Sequence, residues 1–189
     1  RYSSQKVSVT GLEVQPELVT LARWNTGANG YSKCFSVIEG SLEQHRSLIK
    51  AESYGLVTAN PPFYKKGSGR VSRNSQAMAA RHQDKGGLSA FVEAASYGVK
   101  NLGKVTFIYP AQQVAELLYC FKNQRIAPKR MQLIYSYPAS KRASLVVVEG
   151  VKNGGTSMEV LDPLYIYLSR NGPYSKTVQK MFQASEFLP

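Results

Sequence analysis

The sequence is short of cysteine, histidine and acid, and it has no long apolar run. Two cysteines in 189 residues, Cys34 and Cys120, are too few and too far apart for a disulfide scaffold. They read as buried packing thiols of a reducing compartment, so a cytoplasmic location is expected. Nothing approaches the run of about eighteen apolar residues that a membrane span needs. Arg1–Gln5 carries no signal-peptide pattern. Only two histidines occur, His45 and His82, and neither lies in a cluster with zinc-ligand spacing, so no metal is expected. No Ser-His-Asp arrangement or Walker loop is visible. Repeats, low-complexity tracts and Pro/Gly/Ser-rich linkers are also missing, which leaves residues 1–189 as one domain. Acid is the most telling shortage: 12 Asp+Glu face 24 Lys+Arg, a net charge of +12. Such an excess suggests a polyanion, nucleic acid first and a membrane surface second, with plain solubility as the alternative. A hydrophobic share of 43% excludes wholesale disorder.

What is present alternates between two periods. Val7–Val14 reads as a strand. Pro16 suits a first helical turn, with Leu18, Leu21 and Ala22 on one face and a stop near Gly27–Gly30. Cys34–Glu39 is a second strand, a polar stretch runs through His45, and Tyr54–Ala59 is a third strand. Residues 64–87 lack periodicity and form a long loop, of a length that is usually functional. Leu88, Phe91, Val92, Ala95 and Val99 then mark an amphipathic helix. Lys104–Tyr109 is a strand, and Val114, Leu117, Leu118 and Phe121 mark another helix. Met131–Tyr137 and Leu145–Val151 pair as an antiparallel hairpin around the turn Pro138–Ala143. The alternation predicts an α/β sheet, mostly parallel, with an antiparallel C-terminal hairpin. Ligands of such sheets bind beyond the carboxyl ends of strands, which directs attention to Glu13–Pro16 and Asn60–Lys66.

Asn60-Pro61-Pro62-Phe63 stands where the third strand ends. Two prolines stiffen the backbone and remove two N–H donors, leaving carbonyls as acceptors. The Asn60 side chain adds a further carbonyl oxygen, and Phe63 offers a flat π face. Together they suit a planar group with an exocyclic amine, its hydrogens accepted and its ring stacked. The plainer reading is a Pro-Pro turn with a core Phe. The strand–NPPF–loop order resembles the fourth motif of class I S-adenosylmethionine-dependent methyltransferases that act on amino nitrogens. The segment VTGLEVQPEL, residues 9–18, is similar to that group's second strand. The resemblance implies a Rossmann-like fold and S-adenosyl-L-methionine as cofactor. Glu13 would hold the ribose hydroxyls, and Val14 would lie beside the adenine ring. Ser41 and Asn60 complete the implied cofactor set.

The loop NPPFYKKGSGRVSRNSQAMAARHQ, residues 60–83, narrows the likeness to the YfiC-like tRNA1(Val) adenine-N6 methyltransferase family. By order of motifs the resemblance runs over about residues 7–168. It implies an amine clamp of Asn60, Pro61 and Phe63, and tRNA contacts by Pro62, Tyr64, Lys65, Lys66, Arg70, Arg73 and Arg81. Six basic residues between Lys65 and Lys85 against one acid, Asp84, suit phosphate neutralisation. Lys129, Arg130, Lys141 and Arg142 are expected as a second, outer cluster around the hairpin. Tyr135, Tyr137, Tyr165 and Tyr167 lie at strand spacing and suit a core or sheet face better than a stacking platform. Two features depart from the family. No glycine-rich strand–helix turn precedes Lys6, so the family's first strand and part of the cofactor site are expected to be missing from this chain. Ser41 stands where the family usually has Asp, and it supplies no charge. Two other functions compete: methylation of a glutamine amide in a release factor, and a non-catalytic nucleic-acid-binding module.

Overall fold

The computed structural model describes residues 7–62 and 87–185. The chain divides into two compact units, Arg1–Lys50 and Ala51–Pro189.

In the first unit, β1 (Val9–Glu13) pairs in parallel with β2 (Phe35–Glu39), with Val9 opposite Phe35 and Glu13 opposite Glu39. Between them, α1 (Pro16–Ala28) starts on Pro16, whose missing N–H costs nothing in a first turn. The Arg23 guanidinium donates to the Val37 carbonyl at 3.1 Å, tying α1 to β2. The buried residue of α1 is Val19, whereas Leu18 and Leu21 are 42% and 52% exposed. The face expected from Leu18, Leu21 and Ala22 is therefore not the buried one, because a two-stranded sheet covers only the narrow line through Val19. After β2, the polar stretch holds a 3-10 turn (Leu42–Gln44) and the one-turn helix α2 (His45–Leu48). A capping box starts it. The Ser41 hydroxyl accepts from the Glu43 N–H, and the Gln44 side-chain oxygen accepts from the Ser41 N–H. A Cβ on Gly40 would run into Leu48, so the chain turns closely there.

The second unit is built on β3 (Tyr54–Ala59), β4 (Val99–Pro110), β5 (Ile126–Tyr135) and β6 (Leu145–Lys152). Short strands β7 (Glu159–Val160) and β8 (Leu164–Tyr165) both pair with β5. The order is β3-β4-β6-β5-β7, with only β6 running against the rest. Among the described residues this unit also holds helices α3 (Gly87–Gly98), α4 (Val114–Asn123) and α5 (Lys176–Ser185). The mostly parallel sheet with an antiparallel C-terminal hairpin agrees with the sequence pattern. The expected helical stripe agrees in its α3 part, with Leu88, Val92 and Ala95 buried and Phe91 partly buried against the same core, whereas Val99 is buried as the first residue of β4. Phe107 and Phe121 meet edge to face at 5.3 Å in the centre of the core. A Cβ on Gly150 would sit 3.1 Å from the Phe121 ring, so glycine lets β6 pass under α4.

Strand β5 begins five residues before the expected Met131. It takes in Pro128, where a register shift between Pro128 and Arg130 absorbs the missing N–H. Lys152 is anchored beneath α3. Its ammonium donates to the Ser96 carbonyl at 2.8 Å and the Val99 carbonyl at 3.3 Å, and pairs with Glu52 at 3.0 Å. A cation there satisfies carbonyls that a helix end leaves open. Among the described residues, no helix is long and apolar enough to cross a membrane.

Candidate functional site

Three of the four residues expected at the methyl donor, Glu13, Val14 and Ser41, lie at the carboxyl ends of β1 and β2 in the first unit, whereas Asn60 follows β3 in the second. Glu13 ends β1, and its carbonyl accepts from the Gly40 N–H at 2.9 Å, which joins the two strand ends. One oxygen of the Glu13 carboxylate, Oε1, accepts from the Val14 N–H at 2.8 Å and the Gln15 N–H at 2.9 Å. This turn fixes the carboxylate, and two oxygens with about four acceptor positions leave capacity for hydroxyl donors. Val14 is exposed and presents an apolar surface beside it. The Ser41 hydroxyl is engaged as the cap of the following turn. Its place beyond β2 follows from the register of Glu13 and Glu39. A fixed carboxylate next to an apolar side chain fits the ribose and the adenine of S-adenosylmethionine.

Asn60 follows the last residue of β3, Ala59, which pairs with Phe107 of β4. The Asn60 side chain is exposed, Pro61 is fully buried and Pro62 is exposed. Pro61 thus acts as an anchor in the unit, and it holds the Asn60 amide at the open end of a parallel strand. Phe63, Tyr64, Lys65, Lys66, Arg70, Arg73 and Arg81 lie outside the described residues, as does the whole of the expected loop up to Gly86.

Several expectations change. Lys129 and Arg130 do not share a cluster with Lys141 and Arg142. The first pair lies in the amino-terminal half of β5 and the second in the turn beyond its carboxyl end, because β5 is ten residues long. The Arg130 guanidinium makes two bonds to the Glu149 carboxylate, at 3.1 and 3.3 Å, which Lys104 also meets at 3.3 Å. The cysteines are half-buried rather than buried. Burial, then the Glu116 carboxylate, raises the Cys120 thiol above its ordinary value. His45 is buried, with its Nδ1 2.7 Å from the Leu42 carbonyl. Tyr135 of β5 and Tyr165 of β8 lie on the sheet, as expected, and their rings pack with centroids 5.7 Å apart. Tyr167 lies two residues beyond the end of β8, and its side chain is exposed. It stacks on Tyr174 at 5.2 Å and lines a cavity of about 440 Å³ with Ser136, Tyr137, Arg170, Asn171 and Gly172. The sequence signal for that cavity was the basic, acid-free composition of its segments rather than any spacing.

No family model matches the chain. A tRNA1(Val) (adenine(37)-N6)-methyltransferase of Porphyromonas gingivalis is 26% identical over 132 residues, which are 69% of this chain and 51% of that protein. The chain therefore spans about half the length of this curated relative. Among solved structures, an Agrobacterium tumefaciens protein assigned by prediction as an O-methyltransferase superposes with a TM-score of 0.72 at 18% identity. The match covers 93% of this chain and 77% of that one. A Listeria monocytogenes protein assigned to the class I S-adenosylmethionine-dependent methyltransferases gives a TM-score of 0.58 at 16% identity, over 97% and 55% of the two chains. The fold is that of the S-adenosylmethionine-dependent methyltransferases, and the chain's sequence relatives include proteins named tRNA1(Val) (adenine(37)-N6)-methyltransferase.

Proposed function

We propose that the protein transfers a methyl group from S-adenosylmethionine to the N6 amine of an adenine in tRNA. The observation that carries this reading is Asn60-Pro61-Pro62 at the carboxyl end of a parallel strand, with Asn60 exposed and Pro61 buried. The name of the sequence relatives supports it.

The bound cofactor supplies an electrophilic methyl group on a sulfonium centre. Glu13 holds its ribose hydroxyls, Val14 lies beside its adenine, and Ser41 accepts a hydrogen bond at the adenine edge. Asn60 Oδ1 and the Pro61 carbonyl accept the two hydrogens of the target amine, which orients the nitrogen lone pair. Phe63 stacks on the target base, and the proton lost on alkylation leaves through one of the two carbonyl contacts. Positioning, rather than a base of shifted pKa, supplies the acceleration. Pro62 and Tyr64 flank the base, while Lys65, Lys66, Arg70, Arg73 and Arg81 neutralise tRNA phosphates and set register.

Labelled methyl donor supplied with undermodified tRNA and, separately, with a release factor tests this reading. Label is expected in the tRNA alone. Label in the release factor alone would move the substrate to a glutamine amide.

A further inference from the structure

The cavity at the carboxyl end of β5 lies away from the NPPF turn, and none of its residues belongs to the donor or amine sites. Strands β3 and β5 point the same way, so the end of β5 shares a sheet edge with Asn60. They are three strand positions apart, at about 4.8 Å each, or roughly 14 Å along that edge. After β5, Ser136 and Tyr137 form one wall of the cavity, and the turn 138–144 carries Lys141 and Arg142, both exposed. After β8, the Ile166 and Tyr167 N–H groups donate to the Tyr135 and Ser136 carbonyls at 3.0 and 2.8 Å. These bonds extend the strand pairing and place Tyr167 in the second wall. Arg170, Asn171 and Gly172 close the cavity, and a Cβ on Gly172 would strike Ser169.

Two features define what such a cavity takes. Tyr167 stacks on Tyr174 with the rings 14° from parallel, and Tyr174 meets Phe182 of α5 at 5.3 Å. All three aromatic residues are substantially exposed. Residues 136–144 and 166–183 also carry Lys141, Arg142, Arg170, Lys176 and Lys180 and not one Asp or Glu. An exposed aromatic ladder amid cations without carboxylates matches a planar base on an anionic backbone. The volume is within the usual range of small-ligand sites.

We infer that this cavity is a subsite for an unpaired nucleotide of the RNA strand, with the base stacked against Tyr167 and the phosphate met by Arg170. This inference rests on the RNA-methyltransferase reading for the identity of the strand, and it adds a contact well away from the target base. Its role is to hold the flanking strand, not to touch the reacting amine.

The test uses the full chain and a fluorescein-labelled, unstructured oligoribonucleotide of about twelve nucleotides, followed by anisotropy. Tyr167→Ala and Arg170→Ala are each expected to weaken binding about tenfold, while Tyr167→Phe keeps it. A 4-thiouridine probe should crosslink wild-type protein within residues 166–174, which decides the matter even if Tyr167→Ala fails to fold. Wild-type affinity in both Tyr167→Ala and Arg170→Ala, or crosslinks only elsewhere, overturns the inference. So does equal binding of a poly-glutamate peptide with the same sensitivity to Tyr167→Ala, since the occupant would then be an acidic protein. Failure of methyl transfer to tRNA with these binding effects intact would remove the catalytic reading and leave the subsite. Methyl transfer with unaltered binding in the variants would do the reverse.

Discussion

Glu13 joins a local task to a proposed distant one. Its carboxylate closes the turn after β1 through the Val14 and Gln15 N–H groups, and the same carboxylate is the proposed ribose ligand. The two tasks separate by substitution. Glu13→Gln keeps an oxygen for the turn and removes the charge, so S-adenosylmethionine should bind about tenfold more weakly with little change in Tm. Glu13→Ala should lower both. Titration calorimetry checks this, and wild-type affinity in Glu13→Gln would remove Glu13 from the cofactor site. Ser41 illustrates a different overlap. Serine three residues before Gln44 is a recognisable capping box, and the structure forms it. The turn it starts was readable from that spacing, but short polar helices have no apolar period to announce them.

Element by element, strong periods were the dependable signal. The α3 stripe, the start of α1 at Pro16 and the span of β3 follow directly from residue types and spacing. The length of β5 did not follow. Residues 126–130 of β5 contain Pro128 and two cations, and pairing with β6 on one side and β7 on the other overrides that local composition. Nor does a period tell which of two neighbouring apolar lines a small sheet will cover, as Val19 against Leu18 and Leu21 shows. The Lys152 anchor was invisible for the same reason, since it joins residues about fifty apart in the chain. Its side chain is only 14% exposed, unlike that of Lys104 at 53%. Lys152→Met should therefore cost about 1–3 kcal/mol, read from a lowered urea midpoint, whereas Lys104→Met should cost less than about 1 kcal/mol. Equal effects would contradict the anchor. In the core, Phe121→Ala should cost about 3–5 kcal/mol by emptying the space between Phe107 and Gly150.

For the whole molecule, charge and protonation set the response to solution conditions. Burial, then Glu116, raises the Cys120 thiol above 9.0, and burial, then Glu116 and Cys120, raises the Tyr109 hydroxyl above 10.0. Both groups are neutral when protonated, so the folded chain holds these protons more firmly than the unfolded one. Their contribution to stability is complete below about pH 9 and is lost as pH rises through the raised folded values. The urea midpoint should fall as pH rises above about 9, and less steeply in a Cys120→Ala, Tyr109→Phe double variant. A flat wild-type profile would contradict this.

The surplus of positive charge bears on RNA. If each of the six cations between Lys65 and Lys85 meets a phosphate, the logarithm of affinity should fall with the logarithm of salt at a slope near −4. A slope near zero would remove the loop from RNA binding. The most direct test of the whole account is the rate of methyl transfer to undermodified tRNA by wild type and by Asn60→Ala, read as N6-methyladenosine after digestion. Asn60 is exposed, so the variant should fold normally, and its rate should fall about 10²-fold or more. An Asn60→Ala variant that keeps the wild-type rate would contradict the amine clamp, and with it the central claim.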